Sequence, residues 1–192
     1  MNAVAVIRTL IPAMWLGWAL YWWAAARDVK ATRWRESPLS RAANTAPLIL
    51  AFLLLSPSRM PIAGIGERFL PRAAWLLWCG TMLTAVGLLF AILARRQLGR
   101  NWSGTVTIKV DHALVTNGPY RLARHPIYSG LLLGFVGTAL AIGEWRAVAA
   151  VALAAAAIWR RVVIEERGMR GQFGAAYEAY ARRVAALIPF LL

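Results

Sequence analysis

Cysteine, histidine and acidic residues are all scarce in this chain of 192 residues. Cys79 is the only cysteine, which excludes an intramolecular disulfide framework and any cysteine-based zinc site. It falls inside an apolar run, where a buried, inert thiol is expected. His112 and His125 are the only histidines, too few for a three-histidine metal centre. A glycine-rich dinucleotide loop is also lacking. Gly168, Gly171 and Gly174 recur three apart, but no strand precedes them. Charged residues make up 16% of the chain, against about 25% in an average soluble protein.

Apolar residues are abundant instead. They form 60% of the sequence, and ten are tryptophan. A soluble domain of this length has too few polar residues here to cover its surface. Composition therefore excludes a soluble enzyme, a disordered tail and a coiled coil. It predicts an all-α, polytopic membrane protein.

Five apolar stretches are long enough, or nearly so, to cross a bilayer, which needs about 17–25 residues. They run over 9–26, 42–58, 73–94, 126–143 and from 147 to 159, the last continuing as a charged helix. With five spans, the first and third loops and the tail share one side. That side carries seventeen basic residues, and the other carries five. The positive-inside rule then places the N-terminus outside and the tail in the cytoplasm. The net charge of +14 is accounted for by topology and by contact with anionic lipid, so no nucleic-acid partner is expected. Arg8, the apolar run and Ala24–Ala26 also match a signal peptide. The basic residues that follow would then have to be translocated, so a first span fits better.

The third loop has content of its own. Thr105–Val110 alternates with period two and predicts a short strand, with Leu114–Thr116 returning against it. Asn117-Gly118-Pro119 is a strong turn. Asn101-Trp102-Ser103 matches a glycosylation sequon but lies on the cytoplasmic side. Next comes Gly118-Pro119-Tyr120-Arg121-Leu122-Ala123-Arg124-His125-Pro126-Ile127-Tyr128. Pro126 suits the first position of a helix, with His125 at or beside the N-cap. The free N–H groups of that helix start form an anion site, and Arg121 and Arg124 add positive charge or anchor the helix at the headgroups.

The end of the fifth span reads Trp159-Arg160-Arg161-Val162-Val163-Ile164-Glu165-Glu166-Arg167. Arg161 and Glu165 are spaced to pair on one helix face, as are Glu166 and Arg170. Carboxylates beside an apolar span are costly unless they face a partner or a cavity. The tail from Gly168 to Val184 carries Phe173, Tyr177, Tyr180 and Val184 at helical spacing, which predicts an amphipathic helix.

Taken together, HALVTNGPYRLARHPIY over 112–128, Glu165-Glu166, Phe173-Gly174, Tyr177 with Tyr180, and Pro189 resemble the isoprenylcysteine carboxyl methyltransferase family and its phospholipid methyltransferase relatives. The resemblance covers roughly the last half of the chain. It divides the chain into helices one to three over 1–94 and a methyltransferase-like region over 95–192. It implies an integral membrane enzyme of a short, bacterial inner-membrane type, with S-adenosylmethionine as methyl donor and an isoprenoid or lipid-like acceptor among membrane lipids. The donor site implied by similarity uses His112, Ala113, Leu114, Val115, Tyr120, His125, Pro126, Ile127, Tyr128 and Glu166. Arg161 and Glu165 match the family's catalytic pair at the substrate end.

Carboxyl O-methylation is the leading reaction, because a carboxylate is ionised at neutral pH and needs no general base. Methylation of a lipid amine is the alternative and requires a base. Membrane sterol reductases, which use NADPH, carry a similar HPxY and a late tyrosine-rich ending. The GPY before RHP and the Glu165-Glu166 pair favour the transferase. A non-catalytic membrane protein with a basic cytoplasmic face is the third reading.

Overall fold

The structure is a computed structural model. It describes residues 5–27, 32–35, 37–56, 64–99, 102, 107–109 and 114–189, with the backbone alone at 32–35 and 107–109. A five-residue π-helical turn, Val6–Leu10, leads into α1, Ile11–Ala25. Strand β1, Thr32–Arg35, precedes α2, Pro38–Leu55, and α3, Ala74–Leu98. Strand β2, Thr107–Lys109, and a 3-10 turn, Gly118–Arg121, follow. The chain ends in α4, Pro126–Ile142, α5, Trp145–Phe173, and the short α6, Ala175–Ala181. By length and composition α2, α3 and α5 can each cross a membrane, and α4 is a shorter apolar helix.

Two expectations about local structure need correction. Thr107–Lys109 is a strand, but it pairs antiparallel with Thr32–Arg35 of the first loop. Leu114–Thr116 does not return against it and has no regular structure. The tail is also not one helix. The fifth apolar helix continues through Gly168 to Phe173, stops at Gly174 with φ +51°, and α6 restarts beyond it.

The most intimate packing is α3 on α4. A Cβ added at Gly80 would lie 2.5 Å from Gly137 O, and one at Gly87 would lie 2.5 Å from Gly130 O. The reverse holds at Gly130, 2.5 Å from Gly87 O, and at Gly137, 2.5 Å from Thr84 N. In lipid, helices associate by close van der Waals packing of small residues rather than by hydrophobic exclusion. Thr84 adds a buried hydrogen bond to Thr138 Oγ1 at 3.2 Å, and Thr138 Oγ1 accepts from Trp15 Nε1 at 3.0 Å. With Gly80 and Thr84 turned inward, Cys79 faces outward and is exposed. The expected burial of that thiol is therefore wrong: the run is apolar on both faces, and its outer face has no protein against it.

Three arginines tie helix ends together. Arg95 donates to Ala25 O at 2.6 Å and Gly99 O at 2.7 Å, capping the C-termini of α1 and α3 at once. Arg160 bonds Asn44 Oδ1 and, at 3.1 Å, Ser40 Oγ, so α5 is fixed to the start of α2. At the opposite end Arg146 reaches Ser56 O at 2.7 Å, joining the end of α2 to the start of α5. The ends of α1 and α3, the start of α2 and the charged part of α5 thus share one side. Gln97 Nε2 donates to Asn117 Oδ1 at 2.7 Å, which brings the Gly118–Arg121 turn and the start of α4 to that side too.

Candidate functional site

The site is built where α4 begins against the charged continuation of α5. Pro126 occupies the first helical turn and His125 is the N-cap residue, as the missing proline N–H dictates. His125 is buried. Its Nδ1 lies 3.4 Å from Glu165 Oε2 and its Nε2 lies 3.4 Å from Glu166 Oε1.

Glu165 gathers three side chains. Tyr128 donates its hydroxyl to Oε1 at 2.5 Å, Arg161 donates Nε to Oε1 at 3.1 Å, and His125 approaches Oε2. The Arg161 guanidinium also lies over the Tyr128 ring, 5.6 Å from its centroid, and the His125 ring stacks 5.8 Å from the same ring. Glu166 gathers a second set. Arg124 donates Nε and Nη2 to Oε1 at 2.8 and 2.6 Å, and Arg170 donates Nη2 to Oε2 at 3.0 Å. Both i, i+4 pairs expected on α5 are therefore formed.

Electrostatics follow from this geometry, in the part of α5 beyond its apolar span. Burial disfavours the charged form of His125, but hydrogen bonds and charge from Glu165 and Glu166 outweigh it and hold its pKa above the usual value. Burial likewise opposes ionisation of Glu165, yet His125, Arg161 and Tyr128 keep its carboxyl well below the usual range. Glu166 is lowered in the same way, with burial outweighed by His125 and Arg124. The cluster sets two carboxylates, held by arginines, against a histidine whose protonated form they favour.

The segment just ahead of the helix start is bound to the end of the chain. Arg124 N donates to Ala185 O at 2.8 Å and His125 N donates to Ala186 O at 3.0 Å. Ser129 Oγ donates to Leu187 O at 2.5 Å, and Arg124 Nη1 to Ala181 O at 3.1 Å. Tyr180 donates its hydroxyl to Tyr120 O at 2.6 Å. The segment after α6 is thus a strap across the start of α4, and its carbonyls take the N–H groups of Arg124 and His125, just ahead of the first helical turn.

An apolar patch adjoins the charges. Buried Ala94, Tyr120 and Ile127 pack with Trp22, Leu98, Trp102, Val115, Tyr128 and Leu131. Trp22 stacks on Trp18 with centroids 4.8 Å apart and meets Trp102 edge-on at 5.5 Å, while Arg95 lies over the Trp102 ring at 4.4 Å. Burial pushes the Tyr120 phenol far above its usual pKa.

Of the residues singled out from sequence, Tyr128, His125, Arg161, Glu165 and Glu166 converge on one cluster. Val115, Tyr120 and Ile127 line the apolar patch beside it. Pro126 is buried at the helix start, and Leu114 is half-buried in the segment before the Gly118–Arg121 turn. His112 and Ala113 lie outside the described residues. Sequence reasoning missed the double role of Arg124, the strap at Ala185–Leu187, and the contribution of Trp22. The charge of Arg124 was visible beside His125, but its partners are 42 and 57 residues away.

The residues present suit a donor carrying a carboxylate, an ammonium, a sulfonium and an adenine ring. Two buried polar atoms are poorly satisfied: His125 Nε2 has only a long contact, 3.4 Å to Glu166 Oε1, and the Tyr177 hydroxyl makes no hydrogen bond of normal geometry among the described residues. Buried polar atoms of this kind are ordinarily satisfied by water or by a ligand. Tyrosine faces and carboxylates lie close by for a cation, and the apolar patch suits a flat ring.

Comparison with known proteins gives a consistent answer. A curated relative, protein-S-isoprenylcysteine O-methyltransferase A of Arabidopsis thaliana, is 36% identical over 123 residues, covering 61% of this chain and 61% of its own. The cobalt-zinc-cadmium resistance protein CzcN of Cupriavidus metallidurans is 34% identical over 116 residues, covering 59% of this chain and 52% of its own. This chain therefore spans about three-fifths or less of the length of these relatives. Among solved structures, the eukaryotic intramembrane Ras methyltransferase ICMT matches with a TM-score of 0.57 and 25% identity, covering 83% of this chain and 55% of that one. The family model for phospholipid methyltransferases matches residues 75–176, from the start of α3 to the start of α6, and the chain belongs to that family.

Proposed function

We propose that the chain is an integral membrane, S-adenosylmethionine-dependent methyltransferase that O-methylates the carboxylate of an isoprenoid or lipid-like acceptor. One observation carries the reading. Glu165 holds Arg161, Tyr128 and His125 together at the end of an apolar helix, in a chain of a methyltransferase family. The names of the relatives, protein-S-isoprenylcysteine O-methyltransferases among them, support the acceptor class.

S-adenosylmethionine, when bound, supplies an electrophilic methyl group on a sulfonium. Leu114, Val115, Tyr120, Ile127 and Tyr128 would line its place, with His112 and Ala113 preceding them. Glu166, His125 and Pro126 would border its polar end. Arg161 binds the acceptor carboxylate, and Glu165 fixes the Arg161 guanidinium in direction. The apolar patch excludes water, which strengthens each charge contact inside. Alignment of the acceptor oxygen at roughly 3–3.5 Å from the methyl carbon is the main requirement.

The protonation states support a carboxylate acceptor over an amine. An ammonium must lose its proton first. Glu165 and Glu166 are held well below the usual range and His125 above it. None of the three is a ready base, and a carboxylate acceptor needs none.

In this reading all five long helices cross the membrane, with the N-terminus outside and the site, the end of α5 and α6 at the cytoplasmic face of a bacterial inner membrane. Region 1–94 provides the scaffold and 95–192 the chemistry. The test is transfer from tritiated S-adenosylmethionine in proteoliposomes offered isoprenoid acids or ethanolamine lipids. A base-labile methyl ester on the acid is expected. Label on the amine alone would overturn the carboxyl reading, and label on neither would overturn the function.

A further inference from the structure

The two faces of α4 do different work. Gly130 and Gly137 lie on the face pressed against α3, and Gly134 at its edge meets Trp15 of α1 and Leu88 of α3. Tyr128, Leu131, Leu132 and Phe135 follow at spacings of three and four and occupy the opposite face. At one end of that face, Tyr128 reaches the charged cluster through Glu165. At the other end Phe135 is fully buried, its ring 5.2 Å from Trp15 and 4.9 Å from Phe52. Trp15 is held there by its hydrogen bond to Thr138. Between the two ends Leu131 and Leu132 are only half-buried.

Leu131 is the meeting point of the interior. It packs against the patch that includes Trp22, against the Ile158–Val162–Ala186 cluster of α5 and the strap, and against the central core. A half-buried apolar strip therefore runs from the charged cluster to an aromatic plug, walled on one side by α1 and on the other by α5. Seven residues separate Tyr128 from Phe135, which is about 10 Å along a helix.

We propose that this strip is the bed of the acceptor's hydrocarbon tail, and that the Trp15–Phe52–Phe135 plug sets the tail length accepted at about 10 Å. The inference rests on the methyltransferase reading and adds a length rule to it. The occupant is an amphiphile with an anionic head and an apolar tail. Its head meets the cationic side of the cluster, where Arg161 lies over Tyr128, and its tail continues from Tyr128 along the same helix face. Trp15 and Phe52 lie on α1 and α2, outside the residues matched by the family model. Two of the three plug residues thus come from helices that precede the matched region. Phe52 is the adjustable member of the plug, because it is 37% exposed while Phe135 is 1% exposed.

Two measurements test this on the full-length protein in proteoliposomes. The first uses a carboxylate with a diazirine in a tail of about 10 Å, with labelled peptides located by mass spectrometry. Label is expected at Leu131–Leu132 or Phe52, and it is lost in Leu131→Trp. Label confined to the outer face of α3, at Trp75, Met82 and Leu89, overturns the proposal. The second compares acids of increasing tail length. Phe52→Ala is expected to raise kcat/KM for tails longer than the bed by roughly tenfold, the scale of discrimination per apolar group in a pocket. An unchanged length profile in Phe52→Ala overturns it. Labelling needs no turnover. A labelled bed without methyl transfer refutes the enzyme reading and leaves the bed. Methyl transfer with an unlabelled bed does the reverse.

Discussion

Glu165→Asp is a sharp test of the catalytic cluster because it keeps the charge and moves it. Loss of one methylene draws the carboxylate back by about 1.5 Å. In the native side chain, Oε1 accepts from Tyr128 at 2.5 Å and from Arg161 at 3.1 Å, and Oε2 lies 3.4 Å from His125. A retreat of that size takes at least the Arg161 contact out of hydrogen-bond range. Arg161 then no longer has its direction fixed. A misplacement of about 1 Å in a positioning group can cost about 100-fold in rate, so kcat should fall by about that factor. Donor-product affinity should stay within a few-fold, because the shortened side chain still carries its charge. The assay is methyl transfer to a saturating acceptor, paired with calorimetric titration of S-adenosylhomocysteine on the same preparation. Native kcat in a folded Glu165→Asp variant would refute the role given to this carboxylate.

Other expectations follow from the same geometry. Gly137→Leu should prevent close approach of α3 and α4, because even a Cβ there lies 2.5 Å from Thr84 N and 2.6 Å from Gly80 O, both backbone atoms. A loss of at least ~1–3 kcal/mol is expected, read as a lower unfolding midpoint in detergent. Gly168→Ala, within α5 and with nothing within 4 Å of the added Cβ, should instead stabilise by about 0.5–1 kcal/mol; a loss there would contradict the open surroundings. Arg124→Ala should cost roughly 2–4 kcal/mol, since Glu166 loses a two-contact partner and Ala181 O loses its donor, and limited proteolysis should then release the strap. The His125 pKa lies above its ordinary 6.5, so its stabilisation is complete below that pH and is lost as pH rises through the folded value. The two glutamates lie below their ordinary 4.5, so theirs is complete above that pH and is lost as pH falls toward about 2. His125→Gln should remove the alkaline slope of the unfolding midpoint and leave the acid slope at least partly in place.

Local features of the fold were legible in the residues. Pro126 marks the start of α4 because its chemistry fits only that position. The Arg161–Glu165 and Glu166–Arg170 pairs follow from four-residue spacing on one helix. The five apolar runs gave the five long helices, with ends displaced by a few residues. Contacts across sequence distance were not legible. Nothing in Thr107–Lys109 says that its partner is Thr32–Arg35, since both are short and each alternates on its own. Carbonyls at Ala185 and Ala186 carry no sequence signal, yet they fix Arg124 and His125 ahead of α4. Cys79 illustrates a further limit: in a helix that is apolar on every side, hydrophobicity does not distinguish the face packed on protein from the face turned to lipid. The glycine and threonine spacing at Gly80, Thr84 and Gly87 did carry that information.

The cluster around His125 is proposed to serve a methyl donor. The most direct measurement is calorimetric titration of the detergent-purified protein with S-adenosylhomocysteine, repeated on His125→Ala. Saturable binding at one site is expected in the native protein, and its loss in a variant that retains its helical content. A well-folded native protein that takes up no S-adenosylhomocysteine, or a His125→Ala variant that binds it as tightly as the native chain, would rule out a donor site at His125.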